Sequence, residues 1–198
     1  IVTGDIQGKI MTEVQPMKMA AAEGLYETTS NAPFSVLSIG SLDGSEATRI
    51  IEIPGLLSFL ATGTWDGEVE GINELRVSER AMAEKVAEQY GPEVAALVLV
   101  DDYTPMIPLA YWSFRFMMGL GFATMAAAAA TLWAMRKNRV PQGSVWTWVA
   151  ILTPLAPVFA NSWGWIFTEA GRQPWIVYGP MTPPPGVSPS VRATAVWA

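Results

Sequence analysis

The chain has 198 residues, of which 51% are hydrophobic and nine are tryptophan, and it contains neither cysteine nor histidine. These absences exclude a disulfide, a cysteine nucleophile, a Ser-His-Asp triad and a histidine-ligated metal within these residues. Residues 1–102 carry a net charge of −11 and residues 103–198 carry +5, with Glu169 as the only acidic residue of the second half. The chain therefore divides into an acidic, water-facing half and an apolar half typical of membrane proteins.

The acidic half contains two predicted helices. Residues 17–26 follow a proline suited to a first helical turn and are good helix formers up to a glycine at position 24. Residues 31–75 are rich in Gly, Ser, Pro and Asp, which predicts an irregular connection. A second helix is predicted over residues 78–89, with Ser78 as its N-terminal cap.

Two long uncharged runs follow in the apolar half. Residues 116–135 form a run of 20 residues, long enough as a helix to cross the hydrocarbon core of about 30 Å. Residues 140–168 form a second run of 29 residues, with tryptophans near both ends, where interfacial aromatic residues usually lie. Two such runs joined by a few residues favour a pair of transmembrane helices over the buried helices of a soluble protein.

The connection between the two runs reads RKNR, and three bases in a short loop predict that it lies on the cytoplasmic side. The segments that follow from this topology are an outer loop 1–104, a membrane helix 105–136, a cytoplasmic loop 137–144, a membrane helix 145–170 and an outer segment 171–198. Neither end of the chain resembles a natural terminus, so we expect a piece of a longer membrane protein.

Few side chains in the apolar half could carry chemistry. Glu169, at the end of an apolar span, is costly unless it is paired or ligated, and Arg172 is spaced to form a surface ion pair with it, while Trp165 shares their helix face. Arg115 could extend its charge to the membrane interface or neutralise a buried anion such as a haem propionate. Met117 is ordinary packing material, although a thioether can also hold a low-spin haem.

Lys18 and Glu23 lie five residues apart in the first predicted helix, so they are not simple ion-pair neighbours. A solvated helix face is one interpretation of the two charges. A lysine and a carboxylate on an outer loop beside the membrane could instead bind and deprotonate a quinol head group.

Three segments together resemble subunit I of the cytochrome bd-type quinol oxidases. The start of that family's quinol loop is similar to GDIQGK at 4–9 followed by QPMKMAAAEGLYET at 15–28. Its methionine-bearing helix is similar to SFRFM at 113–117, and its Glu-Gly-Arg-Gln-Pro-Trp segment to WIFTEAGRQPW at 165–175. The three segments occur in order across an outer loop and two spans, which makes the combination far more specific than any one of them.

The resemblance implies roles on the quinol and low-spin side. Lys18 and Glu23 would serve quinol binding and oxidation. Met117 would be an axial ligand of a low-spin haem b iron. Arg115 would lie against that haem and favour its reduced form through its positive charge.

The resemblance also implies a high-spin side. Glu169 would ligate the iron of a high-spin haem, either a second haem b or haem d. Trp165 would lie between haems, and Arg172 would support a propionate or the surroundings of Glu169.

The implied fold is an all-α membrane protein, a multi-helix transmembrane bundle with a large extracytoplasmic loop. The whole oxidase would oxidise quinol, reduce O₂ to water through three haems and build a proton gradient without pumping. Its protein partners would be the rest of subunit I, which would bear histidine ligands, subunit II and small single-span subunits. It would lie in the lipid bilayer of a bacterial or archaeal plasma membrane, and it would bind no nucleic acid. This chain alone is expected to be inactive.

Two other classes of function stay open on the residues alone. The first is a two-span membrane scaffold or interaction protein with an acidic outer domain. The second is part of a transporter in which Glu169 is a proton-linked carboxylate.

Overall fold

The computed structural model describes residues 2–40, 47–100, 102–136 and 141–175. Half of the loop predicted to be cytoplasmic, residues 137–140, and most of the segment after 170 fall outside these ranges. Over the described residues the chain is mostly helical, and strands occur only before residue 70.

The acidic half folds into five helices and two small antiparallel strand pairs within the described residues. Strand β1 pairs with β4, and β2 pairs with β3. In chain order the elements are α1 (Val2–Val14), α2 (Pro16–Glu23), β1 (Thr29–Ser30), β2 (Phe34–Gly40), β3 (Ala47–Ile53), α3 (Leu56–Thr62), β4 (Glu68–Val69), α4 (Ile72–Tyr90) and α5 (Pro92–Val98).

The irregular connection predicted for residues 31–75 is wrong, because the described part of that range holds strands, a helix and the start of another. Tertiary hydrogen bonds order it. The buried hydroxyl of Ser58 accepts a hydrogen bond from the backbone N–H of Ala32 at 2.7 Å and donates one to the carbonyl of Gly67 at 2.6 Å. Composition alone cannot reveal such long-range partners.

Helix α2 is short and almost entirely buried. Its proline stands in the first turn, where the missing N–H would have no helical partner, and Gly24 ends the helix in the left-handed conformation at φ 60°. All residues from 17 to 23 are buried, including Lys18 and Glu23. Three consecutive alanines let the neighbouring helices approach closely, so this helix lies at the centre of the acidic half.

Helix α4 begins six residues before the predicted cap, so the prediction for Ser78 is wrong. The serine lies inside the helix, and its hydroxyl donates to the carbonyl of Leu75 at 3.0 Å. The first turn is satisfied instead by a tertiary contact, since the N–H of Ile72 donates to the carbonyl of Leu25 at 2.9 Å. The end of α2 therefore fixes where α4 starts.

Two helical segments are long and apolar enough to cross a membrane, Ile107–Met135 and Ser144–Ala170. The first is a single helix, α6 (Ile107–Met135), and the second consists of α7 (Ser144–Leu152) and α8 (Leu155–Ala170). Pro154 and Pro157 lie at and just after this interruption, where the first N–H groups of α8 need no helical acceptor. Large side chains such as Leu132 project outward from the spans, as expected for a lipid or protein environment.

The main hydrophobic core joins the acidic half to the start of α6 and the end of α8. Helices α6 and α8 pack together, and the rings of Phe114 and Phe167 lie 5.0 Å apart. The buried members of this core come from α2, α4, α6 and α8: Met17, Ala20, Ala21, Ala22, Ile72, Leu75, Ile107, Ala110 and Phe167. Helix α2 is thereby held against both spans.

Candidate functional site

Helix α2 directs its two charged side chains to different spans. Glu23, at its C-terminal end, faces α6, whereas Lys18, one and a half turns earlier, faces the end of α8. The five-residue spacing that made them poor ion-pair neighbours therefore places them in two separate clusters. Each cluster contains an arginine that the sequence analysis singled out.

The first cluster is a buried ion pair between Glu23 and Arg115. One terminal nitrogen of the guanidinium, Nη2, donates to Glu23 Oε2 at 2.7 Å, and the other, Nη1, donates to Oε1 at 3.3 Å. The arginine side chain is only 8% exposed and the glutamate side chain 1%. Such a two-point contact fixes the orientation of the carboxylate as well as its charge.

Aromatic rings enclose the guanidinium of this pair. Its central carbon lies 4.7 Å from the ring centre of Phe34, 4.5 Å from that of Tyr111 and 5.4 Å from that of Phe114. The negative faces of such rings attract a cation, and the rings also exclude water. Arg115 therefore does not extend to the interface. Neither Phe34, in the segment predicted to be irregular, nor Tyr111, in a span, could be identified from the sequence, because single aromatic residues at such positions are ordinary.

One donor of Arg115 has no acceptor. Its Nε–H is buried and makes no hydrogen bond to any part of the chain that the structure describes. A buried donor without a partner costs about 1–3 kcal/mol, so an acceptor from outside these residues is favoured. A carboxylate such as a haem propionate has the right chemistry for this position.

The second cluster surrounds Lys18 at the end of α8. Its ammonium donates to the carbonyl of Thr168 at 3.4 Å and lies 4.9 Å from the ring centre of Phe167. Burial lowers the pKa of Lys18 below its ordinary value of 10.5, and the neighbouring charge of Arg172 lowers it further, while Glu169 opposes the shift.

Glu169, in the last turn of α8, forms an ion pair with Arg172, which lies three residues later in the turn that follows the helix. Their side chains are 43% and 42% exposed, so this pair is far more open than the first. Gly171 between them gives Lys18 room, because a Cβ at this position would lie only 3.0 Å from Lys18 Cγ. The sequence prediction of a surface ion pair matches this geometry, and the carboxylate stays accessible to another partner.

Met117 and Trp165 lie apart from both clusters. The thioether of Met117 lines an open groove of about 500 Å³ between α6 and α8, together with small residues that include Gly121 and Gly164. A Cβ at Gly164 would come to 2.9 Å from the methionine sulfur, so a larger residue there would displace the end of the Met117 side chain. Trp165 is 68% exposed on the outer side of α8.

The set of possible metal ligands is small. Within the described ranges no group of three or more His, Asp or Glu residues could hold a metal ion. Single axial ligands such as a thioether or a carboxylate remain compatible with a macrocycle that supplies its own nitrogen ligands. Met117, in the groove between α6 and α8, and Glu169, in its exposed ion pair, fit that requirement.

Comparisons with known proteins agree on one family. The family described as cytochrome bd terminal oxidase subunit I matches residues 1–198. Cytochrome bd ubiquinol oxidase subunit 1 of Bacillus subtilis is 36% identical over 193 residues, which cover 96% of this chain and 38% of that protein. Cytochrome bd-II ubiquinol oxidase subunit 1 of Escherichia coli is 25% identical over 216 residues, with 88% of this chain and 42% of that protein covered.

A solved structure has a similar fold. The bd oxidase from Geobacillus thermodenitrificans superposes with a TM-score of 0.65 at 29% identity, covering 92% of this chain and 38% of the compared chain. The predicted fold class, an all-α membrane bundle with a large outer loop, is confirmed by this likeness. The chain spans well under half the length of the relatives that it matches.

Proposed function

The chain belongs to the cytochrome bd terminal oxidase subunit I family, and on this premise we propose that it forms part of a respiratory enzyme that oxidises quinol and reduces O₂ to water. The resemblance stated from three sequence segments is thereby confirmed. Haems supply electron transfer and oxygen chemistry when bound: a low-spin haem b, a high-spin haem b and haem d. Because the protons for water come from the inner side in this proposal, a proton gradient forms without pumping.

The observation that carries the proposal is the buried pair of Glu23 and Arg115. It joins the predicted quinol loop to the predicted haem helix across 92 residues of sequence. A buried charge pair is rarely favoured over apolar packing for stability alone, so its presence supports a functional role. Neither a two-span scaffold nor a transporter that uses Glu169 requires it.

The proposed role of each residue follows from its surroundings. Glu23 takes the proton of a quinol hydroxyl, with its carboxylate oriented by Arg115. Lys18, less readily charged than an ordinary lysine, hydrogen-bonds the quinol head group. Met117 would hold the low-spin haem b through its thioether, and the Nε–H of Arg115, which has no acceptor among the described residues, would bind a propionate while the charge of the arginine favours the reduced haem.

On the high-spin side we propose that Glu169 is the iron ligand. Its carboxylate is open and paired only locally, so exchanging Arg172 for a metal requires no buried rearrangement. Arg172 then becomes available to a propionate, and Trp165, which is largely exposed here, lies against a haem held by the rest of the subunit.

The proposed setting is a bacterial or archaeal plasma membrane, with subunit II and the rest of subunit I as partners. In this topology loop 137–144 faces the cytoplasm, and residues 1–104 and 171–198 face outward. Protease added to intact spheroplasts is expected to cut within 30–100. Cleavage that appears only after lysis would contradict the topology.

The enzymatic proposal is tested in membranes containing the whole oxidase. Bands of haem b and haem d in the absorption spectrum and quinol-driven oxygen uptake are expected. Glu23→Ala should reduce quinol-driven uptake but spare uptake driven by an artificial electron donor, and Glu27→Ala at an exposed position of the same loop serves as the control. Equal loss with both donors would exclude a role at the quinol.

The haem assignment has its own matched pair of variants. Met117→Leu is expected to abolish or shift the low-spin haem b band, because leucine cannot ligate iron. Met118→Leu, on the adjacent face of the same helix, should leave it unchanged. An unaltered band in Met117→Leu would mean that this methionine only packs in the groove.

A further inference from the structure

Helix α4 contains a carboxylate that the proposed function does not use. Glu79 is completely buried, although α4 is otherwise a strongly charged helix with most of its acidic side chains exposed. Burying a carboxylate is costly unless hydrogen bonds compensate it. Its position therefore calls for a specific partner.

Trp175 provides that partner from the far end of the described chain. The indole Nε1–H donates to Glu79 Oε2 at 3.2 Å, joining two residues that are 96 positions apart. Trp175 is the last residue of the segment WIFTEAGRQPW, which also contains Glu169 and Arg172. Glu79 carries no signal in the sequence, because a glutamate in a charged helix is ordinarily exposed.

A second contact holds the same indole from its face. The ring of Tyr103 stacks on it with ring centres 5.3 Å apart and planes 19° apart. The tyrosine is itself fixed, since its hydroxyl donates to the carbonyl of Val98 at 3.0 Å and accepts from the N–H of Val100 at 3.2 Å. The hydrogen bond and the stacked ring together fix the orientation and the position of the Trp175 indole.

The anchored tryptophan ends the turn that closes α8. Its N–H donates to the carbonyl of Arg172 at 3.0 Å, and the N–H of Gly171 donates to the carbonyl of Phe167 at 2.9 Å. A narrow cleft beside this turn is lined by Lys18, Arg172 and Trp175, among others. A displacement of Trp175 would therefore be transmitted to the two cations of the second cluster.

We propose that Glu79 is a positioning residue for the oxidase, holding Trp175 and hence the 171–175 turn so that Arg172 and Lys18 stay in register with Glu169. This inference rests on the proposed function, because the register matters only if these side chains serve a haem and a quinol. Glu79 itself touches neither. It acts through the indole of Trp175 and its tyrosine support.

Three variants of the whole oxidase test the proposal. Glu79→Leu removes the acceptor but keeps the volume, Glu79→Gln keeps an acceptor oxygen without the charge, and Trp175→Phe keeps a ring against Tyr103 but removes the donor. Glu84→Leu serves as the control, because this exposed glutamate lies on the same helix and pairs only with Arg80.

The expected result is a common phenotype for Glu79→Leu and Trp175→Phe. The ratio of high-spin to low-spin haem absorbance should fall, quinol oxidation should drop roughly tenfold, as for other residues that orient metal ligands, and amide exchange in the 171–175 turn should accelerate. Glu79→Gln should restore all three values to near those of the wild type, and Glu84→Leu should not change them. The double variant that combines Glu79→Leu with Trp175→Phe should show losses no larger than those of either single variant.

Other outcomes would overturn the proposal. In one such outcome, Glu79→Leu lowers all haem bands equally, and only as far as the amount of assembled polypeptide falls. In another, it changes neither the spectrum nor the amide exchange of the 171–175 turn. In either case Glu79 has no positioning role. If Glu79→Leu does not assemble, Trp175→Phe alone decides the question by the same criteria. Absence of haem bands in the wild-type membranes would instead refute the proposed function.

Discussion

Two carboxylate–arginine pairs lie where the two spans meet the acidic half, and they differ in almost every physical respect. Glu23 and Arg115 come from distant segments, are buried and make a two-point contact enclosed by aromatic rings. Glu169 and Arg172 are three residues apart, at the end of α8 and in the turn after it, and are nearly half exposed. The same two side-chain types therefore form a fixed link in one region and an exchangeable pair in the other.

The difference shows how environment assigns roles to identical chemistry. In a buried site, removing one partner leaves a desolvated charge, so the pair is held together by the cost of separating it. At an exposed site water replaces either partner easily, and the pair contributes only about 0–1 kcal/mol. The buried pair suits a permanent orientation of Glu23, and the exposed pair suits a carboxylate that must release its partner to bind a metal.

The largest expected effect comes from breaking the buried pair. Arg115→Met removes the cation that pairs with the buried carboxylate of Glu23, and should destabilise the fold by about 3–5 kcal/mol. Combining it with Glu23→Leu should recover much of that loss, since no uncompensated charge remains. Denaturant midpoints of the purified oxidase for the two single variants and the double variant measure this. A double variant as unstable as the sum of the singles would contradict the interpretation.

The exposed pair should behave in the opposite way. Glu169→Gln is expected to leave the amount of assembled polypeptide near that of the wild type while a high-spin haem band is lost, because the amide is a poor iron ligand. Absorption spectra normalised to subunit content measure both quantities. Glu93→Gln, at another acidic position in the first turn of α5, serves as the control. Retention of every haem band would show that Glu169 is only an ion-pair partner.

Lys18 connects the two regions through α2, and its removal should have an intermediate effect. Lys18→Met keeps an unbranched side chain of similar size but loses the donor and the charge beside Phe167, so the KM for quinol should rise about tenfold. Oxygen uptake with an artificial donor should not change. Lys9→Met is the matched control, because Lys9 lies on α1 in an exposed pair with Asp5. A similar KM in both variants would exclude Lys18 from the quinol site.

The smallest expected effect is on the pH dependence of stability. Burial and Arg172 lower the pKa of Lys18, so the folded protein releases this proton at a lower pH than the unfolded chain, whose lysine titrates near 10.5. Between those two values the unfolded state binds more protons, and the contribution of Lys18 to stability therefore rises with pH. Unfolding midpoints of the wild type and Lys18→Met from neutral pH to 10.5 should diverge accordingly. Parallel curves would show that Lys18 is not buried as a cation.

The sequence was sufficient for the coarse architecture because the relevant signals are local. The uncharged runs mark the spans, the proline and glycine around α2 mark its ends, and the three motifs identify the family. It failed over residues 31–75, where the hydrogen bonds of Ser58 order the chain. It also failed at Ser78, because the carbonyl of Leu25 accepts from the N–H of Ile72 and so sets the start of α4. Those partners are distant in sequence, and no periodicity or capping rule contains them.

The candidate site shows the same division. The residue types, the spacing of Glu169 and Arg172, and the absence of histidine and cysteine follow from the sequence alone. The pairing of Glu23 with Arg115, the separate placement of Lys18 and the anchoring of Trp175 by Glu79 follow only from tertiary packing. The physical reason is that a side chain's charge is an intrinsic property, whereas its desolvation and its partners are set by the elements that fold around it.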